Sequence, residues 1–148
     1  MRIVIDLQGA QTESRFRGIG RYSLSLALAI VRNAGDHEVY LALNGLFPDS
    51  VDGIRQSFEG LLPQQNIRVW YAPGPMRETD PANANRRAVA EVVREAFIMS
   101  LKPEVVLVTS LFEGWGDDAV TSIKRFDAVT PTAVILYDLI PLDRKSVV

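Results

Sequence analysis

Short apolar runs rich in β-branched residues, each set apart by stretches of helical periodicity, most restrict what this chain can fold into. The runs are Ile3 to Leu7, "HEVYLALNG" from His37, "NIRVWYA" from Asn66, "EVVLVTS" from Glu104 and "TAVILYDLIP" from Thr132. Between them lie "GIGRYSLSLALAIVRNAG" from Gly18, "SVDGIRQSFEGLL" from Ser50 and "ANANRRAVAEVVREAFIMSLK" from Ala82. Continuous apolar strands alternating with helices predict a parallel sheet covered on both faces, an α/β Rossmann-like doubly wound sandwich. A chain of 148 residues has room for one such domain with a real core.

The helical segments carry their own expectations. The first has apolar residues around most of its surface, with Gly35 as its stop signal. In the second, Ser50 is the expected cap and Asp52 favours the positive end of the dipole. The third places Val89, Val92, Val93, Ala96, Phe97 and Leu101 at core spacing and ends before Pro103. The segment "LFEGWGDDAVTSIKRFD" from Leu111 reads as a glycine-broken loop with room for one short helix.

Composition removes several functions. There is no cysteine and a single histidine, His37, so thiolate metal sites and a Ser-His-Asp triad on the functional rim are excluded. A net charge of −2 gives no reason to expect nucleic acid. No apolar run approaches the ~20 residues of a transmembrane helix, and the N-terminus turns polar too soon for a signal peptide. A cytosolic setting fits the absence of cysteine.

Ligands of a doubly wound sheet lie at the carboxyl ends of its strands. Those ends deliver Asp6, Gln8, Asn44, Gly45, the stretch from Ser110 to Gly116, and Tyr137 with Asp138. The loop "RFRGIGRYS" from Arg15 leads into the first helix, and Gly18, Gly20 and Ser23 superficially echo the dinucleotide fingerprint. About ten residues separate it from the strand, and the second strand ends in "ALNG" rather than an acid, so a nicotinamide or flavin site is a poor match. Two readings stay open for it: free N–H groups and the helix dipole hold a phosphate or sugar hydroxyls, or the glycines shape a turn beside solvated arginines.

In "SLFEGWGDD", Glu113, Asp117 and Asp118 could serve a metal or acid–base chemistry, although Asp117 is equally suited to capping a helix. Trp115 beside Glu113 suits stacking against a sugar ring. Asp138 is either a turn residue before Pro141 or a carboxylate that accepts hydroxyl hydrogen bonds.

Together, "IVIDLQGAQTESRFRGIGRYSLSLALAI", "SLFEGWGDDAVTSI" and "TAVILYDLIPL" resemble the N-terminal half of bacterial glycosyltransferases of family 4, from the branch that builds O-antigen and other surface polysaccharides. The resemblance covers Met1 to about Leu142, and "GIGRY" and "FEGWGDD" are its most specific parts. It implies one half of a GT-B fold: residues 1–148 form the acceptor-side domain, and the donor-binding C-terminal domain is absent. It implies a retaining, metal-independent enzyme without cofactor that moves a mannose- or rhamnose-like hexose from a nucleotide-diphosphate sugar to a saccharide or lipid-linked acceptor. The place would be the cytoplasm, peripheral at the inner membrane. By the same resemblance Gly18, Gly20 and Arg21 face the donor phosphates and sugar, and Tyr137 and Asp138 touch the sugar, with Tyr137 standing where the family has histidine. The family's catalytic glutamates belong to the missing domain, so this chain alone is expected to be inactive. The alternative from another class is a stand-alone binding or assembly module, with a second copy of the chain as a further partner.

Overall fold

The computed structural model describes residues 1–137. Strands β1 (Arg2–Asp6), β2 (Glu38–Asn44), β3 (Ile67–Trp70), β4 (Val105–Val108) and β5 (Thr132–Val134) form one sheet in the order β3-β2-β1-β4-β5. Every neighbouring pair is parallel, and Ile5 of β1 lies opposite Leu41 of β2 and Leu107 of β4. Helices α1 (Gly18–Arg32), α2 (Pro48–Ser57) and α3 (Ala84–Ser100) make the crossovers. The expected Rossmann-like α/β architecture is what the chain adopts.

Two cores explain why the strands read as unbroken apolar runs. On one face Ile5, Leu7, Leu41, Leu43 and Ile67 pack with Ala27 of α1 and Ile54 of α2. On the other Val4, Ala42, Val106 and Val108 pack with Ile98 and Leu101 at the end of α3. Successive side chains of β1 therefore both leave water, each large one contributing roughly 1.5–3 kcal/mol. The edge strand β5 is the least covered, with Ala133 exposed and Val134 37% exposed.

Three local expectations are corrected. Helix α2 begins at Pro48, whose fixed φ suits a first helical position, and Ser50 sits inside the first turn with its hydroxyl donating to the Phe47 carbonyl at 2.7 Å. Helix α3 meets the predicted face only in part: Leu101 is buried and Phe97 packs on the core, but Val89 is 58% exposed and Val92 is exposed too, while Ala90, Arg94, Glu95 and Ile98 are buried. Polar partners at Arg94 and Glu95 set that difference, and an apolar count could not weigh them.

No helix forms between β4 and β5 among the described residues. Glu95 takes the backbone groups a helix would have used: its carboxylate accepts from the amides of Arg125, Phe126 and Asp127 and from the Ser122 hydroxyl. Burial pushes the Glu95 carboxyl up, but these donors outweigh it and hold it below the usual carboxylate range. Asp127 in turn accepts from the amides of Val129 and Thr130.

The approach to α1 makes two 3-10 turns, Gln8–Ala10 and Glu13–Phe16. The second lies so close to α1 that a Cβ on Gly20 would fall 2.2 Å from the Ser14 carbonyl oxygen and 2.3 Å from the Arg15 Cα. Around Gly18 there is nothing within 4 Å. Gly20→Ala should therefore lower the thermal midpoint by several degrees, whereas Gly18→Ala should leave it unchanged or raise it, alanine being favoured in a helix by up to about 1 kcal/mol. Equal effects in thermal melts would contradict this packing.

Candidate functional site

The polar residues at the strand ends are the natural place to look for ligand contacts, and most are already occupied. Asp6 and Arg94 form a buried ion pair, Nε to Oδ2 at 2.6 Å, with side chains 1% and 2% exposed. The same carboxylate accepts from the Gln8 amide at 3.0 Å and from Gln8 Nε2. Gln8 then bonds both backbone groups of Val120, donating to its carbonyl at 2.7 Å and accepting its N–H at 2.9 Å.

Asn44 continues the network. Its Nδ2 donates to Gln8 Oε1 and to the Asp118 carbonyl, each at 3.0 Å. Its backbone pairs with the Gln11 amide group, and Gln11 also donates to Ser50 Oγ. Asp6, Gln8 and Asn44 are thus the struts that hold the loops after β1, β2 and β4 together. A charge in the otherwise apolar series Ala90, Arg94, Ile98 and Leu101 was the sequence signal for Arg94.

At the start of α1 the three proposed donor-facing residues divide. Gly18 and Arg21 are exposed at the rim, while Gly20 is buried against the preceding turn. The N-cap residue Arg17 makes no side-chain cap, and no acid occupies the first turn, so the leading N–H groups keep their capacity for an anion. Arg15 stacks on Phe16 at 4.7 Å, leaving Phe16 itself 71% exposed.

The loop after β4 brings the other predicted residues to the same end of the sheet. Glu113 is half-buried and accepts from the Ser110 hydroxyl at 2.7 Å. Burial raises its carboxyl above the usual range, the charges of Asp117 and Asp6 add to this, and hydrogen bonds from Ser110 and Thr12 only partly offset it. Asp117 is raised in the same way, by burial first and then by Glu13 and Asp118. Its Oδ1 accepts the Ala119 amide at 3.0 Å in a tight turn, because there is no helix for it to cap.

Trp115 is 58% exposed. Asp118 is drawn to the opposite side of the loop, accepting the Met76 amide at 2.9 Å. Among the described residues neither Glu113 nor Asp117 is paired with a cation, and no three acidic or histidine side chains are grouped to hold a metal.

Tyr137 reaches back toward α1. Its hydroxyl donates to the Thr109 carbonyl at 3.0 Å, so at the 3.1 Å contact with Ser23 the serine must be the donor. Its ring meets that of Tyr22 edge to face, centroids 5.8 Å apart. Burial foremost pushes the phenol up. The polar atom that stands where the resembled family has a histidine is therefore engaged within the fold. Asp138 lies outside the described residues. His37, at the opposite end of β2, contacts the N-terminal amine at 2.8 Å, far from this rim.

These loops can present an aromatic face, a half-buried carboxylate without a counter-ion among the described residues, and a helix start without a side-chain cap, along one rim. That combination suits a polyhydroxylated ligand beside an anion.

No protein-family model matches the chain. No solved structure matches it either. Among curated proteins it is similar to the serotype-specific mannosyltransferase WbdA of Escherichia coli, 35% identical over 147 residues, which is 99% of this chain and 18% of the relative. Two further Escherichia coli sequences of the same description are each 31% identical over 122 residues, 82% of this chain and 15% of theirs. The chain thus spans less than a fifth of the length of these relatives. The resemblance to bacterial glycosyltransferases carried by the three motifs is borne out: over nearly its whole length this chain is a relative of one segment of bacterial mannosyltransferases.

Proposed function

We propose that this chain is the acceptor-side domain of a retaining glycosyltransferase that moves a mannose- or rhamnose-like hexose from a nucleotide-diphosphate sugar to a saccharide or lipid-linked acceptor. The observation that carries the reading is the 35% identity to a mannosyltransferase across 99% of the chain. The fold supplies support of a second kind. In the order β3-β2-β1-β4-β5 the chain reverses direction between β1 and β4, and the loops leaving those two strands open the crevice where such sheets take ligands.

The chemistry asks for few groups from this side. The bond between the sugar's anomeric carbon and the departing phosphate oxygen breaks, a bond to the acceptor hydroxyl oxygen forms, and that hydroxyl loses its proton. Negative charge gathers on the diphosphate, which the free N–H groups at Gly18 and the Arg21 guanidinium are suited to meet. Trp115 offers a hexose its apolar face, and Glu113 accepts hydrogen bonds from its hydroxyls. The remaining donor contacts and the catalytic groups come from a second domain, so the chain alone does not turn over. No metal ion or cofactor takes part.

The full native polypeptide, given GDP-mannose and a manno-oligosaccharide acceptor, should transfer mannose, and Trp115→Ala should raise the acceptor KM about tenfold with the donor KM little changed. Absence of transfer to any saccharide or lipid-linked acceptor, across GDP-mannose and related donors, would overturn the proposal.

Glu113 yields a pH signature. Its folded-state pKa is raised, so the native chain holds that proton more readily than the unfolded chain and loses stability as pH rises through the raised value. Glu113→Gln removes the titration. Urea denaturation should find the variant more stable than the parent at pH 7, with the difference shrinking toward pH 4, while acceptor affinity at pH 7 falls. A variant less stable than the parent at pH 7 would contradict the assignment.

A further inference from the structure

Beneath the loop that carries Glu113 and Trp115 lies a side chain with no part in the site so far. Arg87, the fourth residue of α3, points its guanidinium at four backbone carbonyls. Its NH1 donates to Met76 at 2.8 Å, Ala119 at 3.1 Å and Gly114 at 3.3 Å, and its NH2 to Glu113 at 3.4 Å. Three of these carbonyls belong to the loop after β4 and the fourth to the segment before α3.

Gly114 makes room for this arrangement. It has φ +94°, and a Cβ there would lie 2.1 Å from the Ala119 carbonyl oxygen, 2.5 Å from Arg87 NH2 and 2.9 Å from NH1. Any side chain at this position would expel the guanidinium and distort the backbone. On the outer side the loop is tied again, since the amides of Glu78 and Thr79 donate to the carbonyls of Gly114 and Trp115 at 3.0 and 3.1 Å. The residues on either side of Gly114 are the two assigned to saccharide contact.

We propose that Arg87 is the positioning residue of the saccharide site, gathering the carbonyls of Met76, Glu113, Gly114 and Ala119 so that Glu113 and Trp115 stand preformed at the rim. It acts through the loop backbone and touches no ligand. The proposal rests on the saccharide reading given above. A planar, permanently charged fork suits the task because it serves several carbonyls at fixed angles, where a lysine ammonium on a flexible stem cannot span the same set. Rigid presentation matters for sugar binding because the cost of ordering the loop is met on folding and not again when the ligand arrives.

The chain has two tryptophans, and Trp70 is 1% exposed, so a ligand-dependent change in fluorescence reports on Trp115. The test titrates the full chain with an α-linked mannotriose and follows amide hydrogen exchange over residues 113–119 in the absence of sugar. The native chain should give a saturable signal that Trp115→Phe abolishes. Arg87→Met should weaken mannotriose binding at least tenfold and speed exchange of the 113–119 amides at least tenfold, while the buried Trp70 emission is kept. Arg87→Lys should fold like the parent and fall between the two in both measurements.

Parental affinity and parental exchange in Arg87→Lys and Arg87→Met would overturn the role of Arg87. Should Arg87→Met fail to fold, Arg87→Lys decides alone: parental values in both measurements overturn the proposal. If the native chain gives no mannotriose signal while the Arg87 variants still release the loop, the saccharide reading fails and the clamp stands as a purely structural one.

Discussion

The ion pair between Asp6 and Arg94 is the contact on which the ligand end of this domain depends. Each charge alone would be costly at 1–2% exposure, and together they are tolerable because further donors and acceptors surround them, with Arg94 NH2 left to its ion-pair contact with Asp6. Gln8 supplies two donors to the carboxylate, and the Arg94 guanidinium reaches on to the Ser122 carbonyl at 3.1 Å. The pair joins the end of the central strand to α3, the one helix on that face among the described residues. Gln8, Asn44 and Gln11 carry the same network across to the loops after β2 and β4.

This arrangement divides labour at the rim. Residues pointing inward from the strand ends fix the loops, and residues one or two turns further along face solvent. Glu113 and Asp117 are the exception in energetic terms, being half-buried carboxyls with raised pKa and no cation partner among the described residues. Groups held in an unfavourable state are what a binding surface retains when its ligand supplies the missing partners. Arg87 and Gly114 keep the loop from relaxing that state by collapse.

Fold class, strand identity and the rim were legible because parallel strands buried on both faces leave unbroken apolar runs, and Gly and Asp cluster where those runs end. The face of α3 was legible only toward its end, at Phe97 and Leu101, because Arg94 and Glu95 break the apolar series and their partners lie 88 and 27–32 residues away along the chain. The same distance effect hid the roles of Asp6, Gln8 and Asn44. From local pattern each was as good a ligand contact as a strut, and only the fold shows their hydrogen bonds already spent. Gly18 and Gly20 looked alike in sequence, yet one faces open space and the other the backbone of Ser14 and Arg15. The similarity to mannosyltransferases needed no structure, since short sequence motifs carry it.

The strand-end network is a scaffold joined through Asp6 and Arg94, and a double-mutant cycle across that pair reads out the coupling. Urea unfolding of the parent, Asp6→Asn, Arg94→Met and the double variant should give single losses of about 3–5 kcal/mol, with the double variant short of their sum by more than about 1 kcal/mol. Additive losses, or single losses below about 1 kcal/mol, would contradict it.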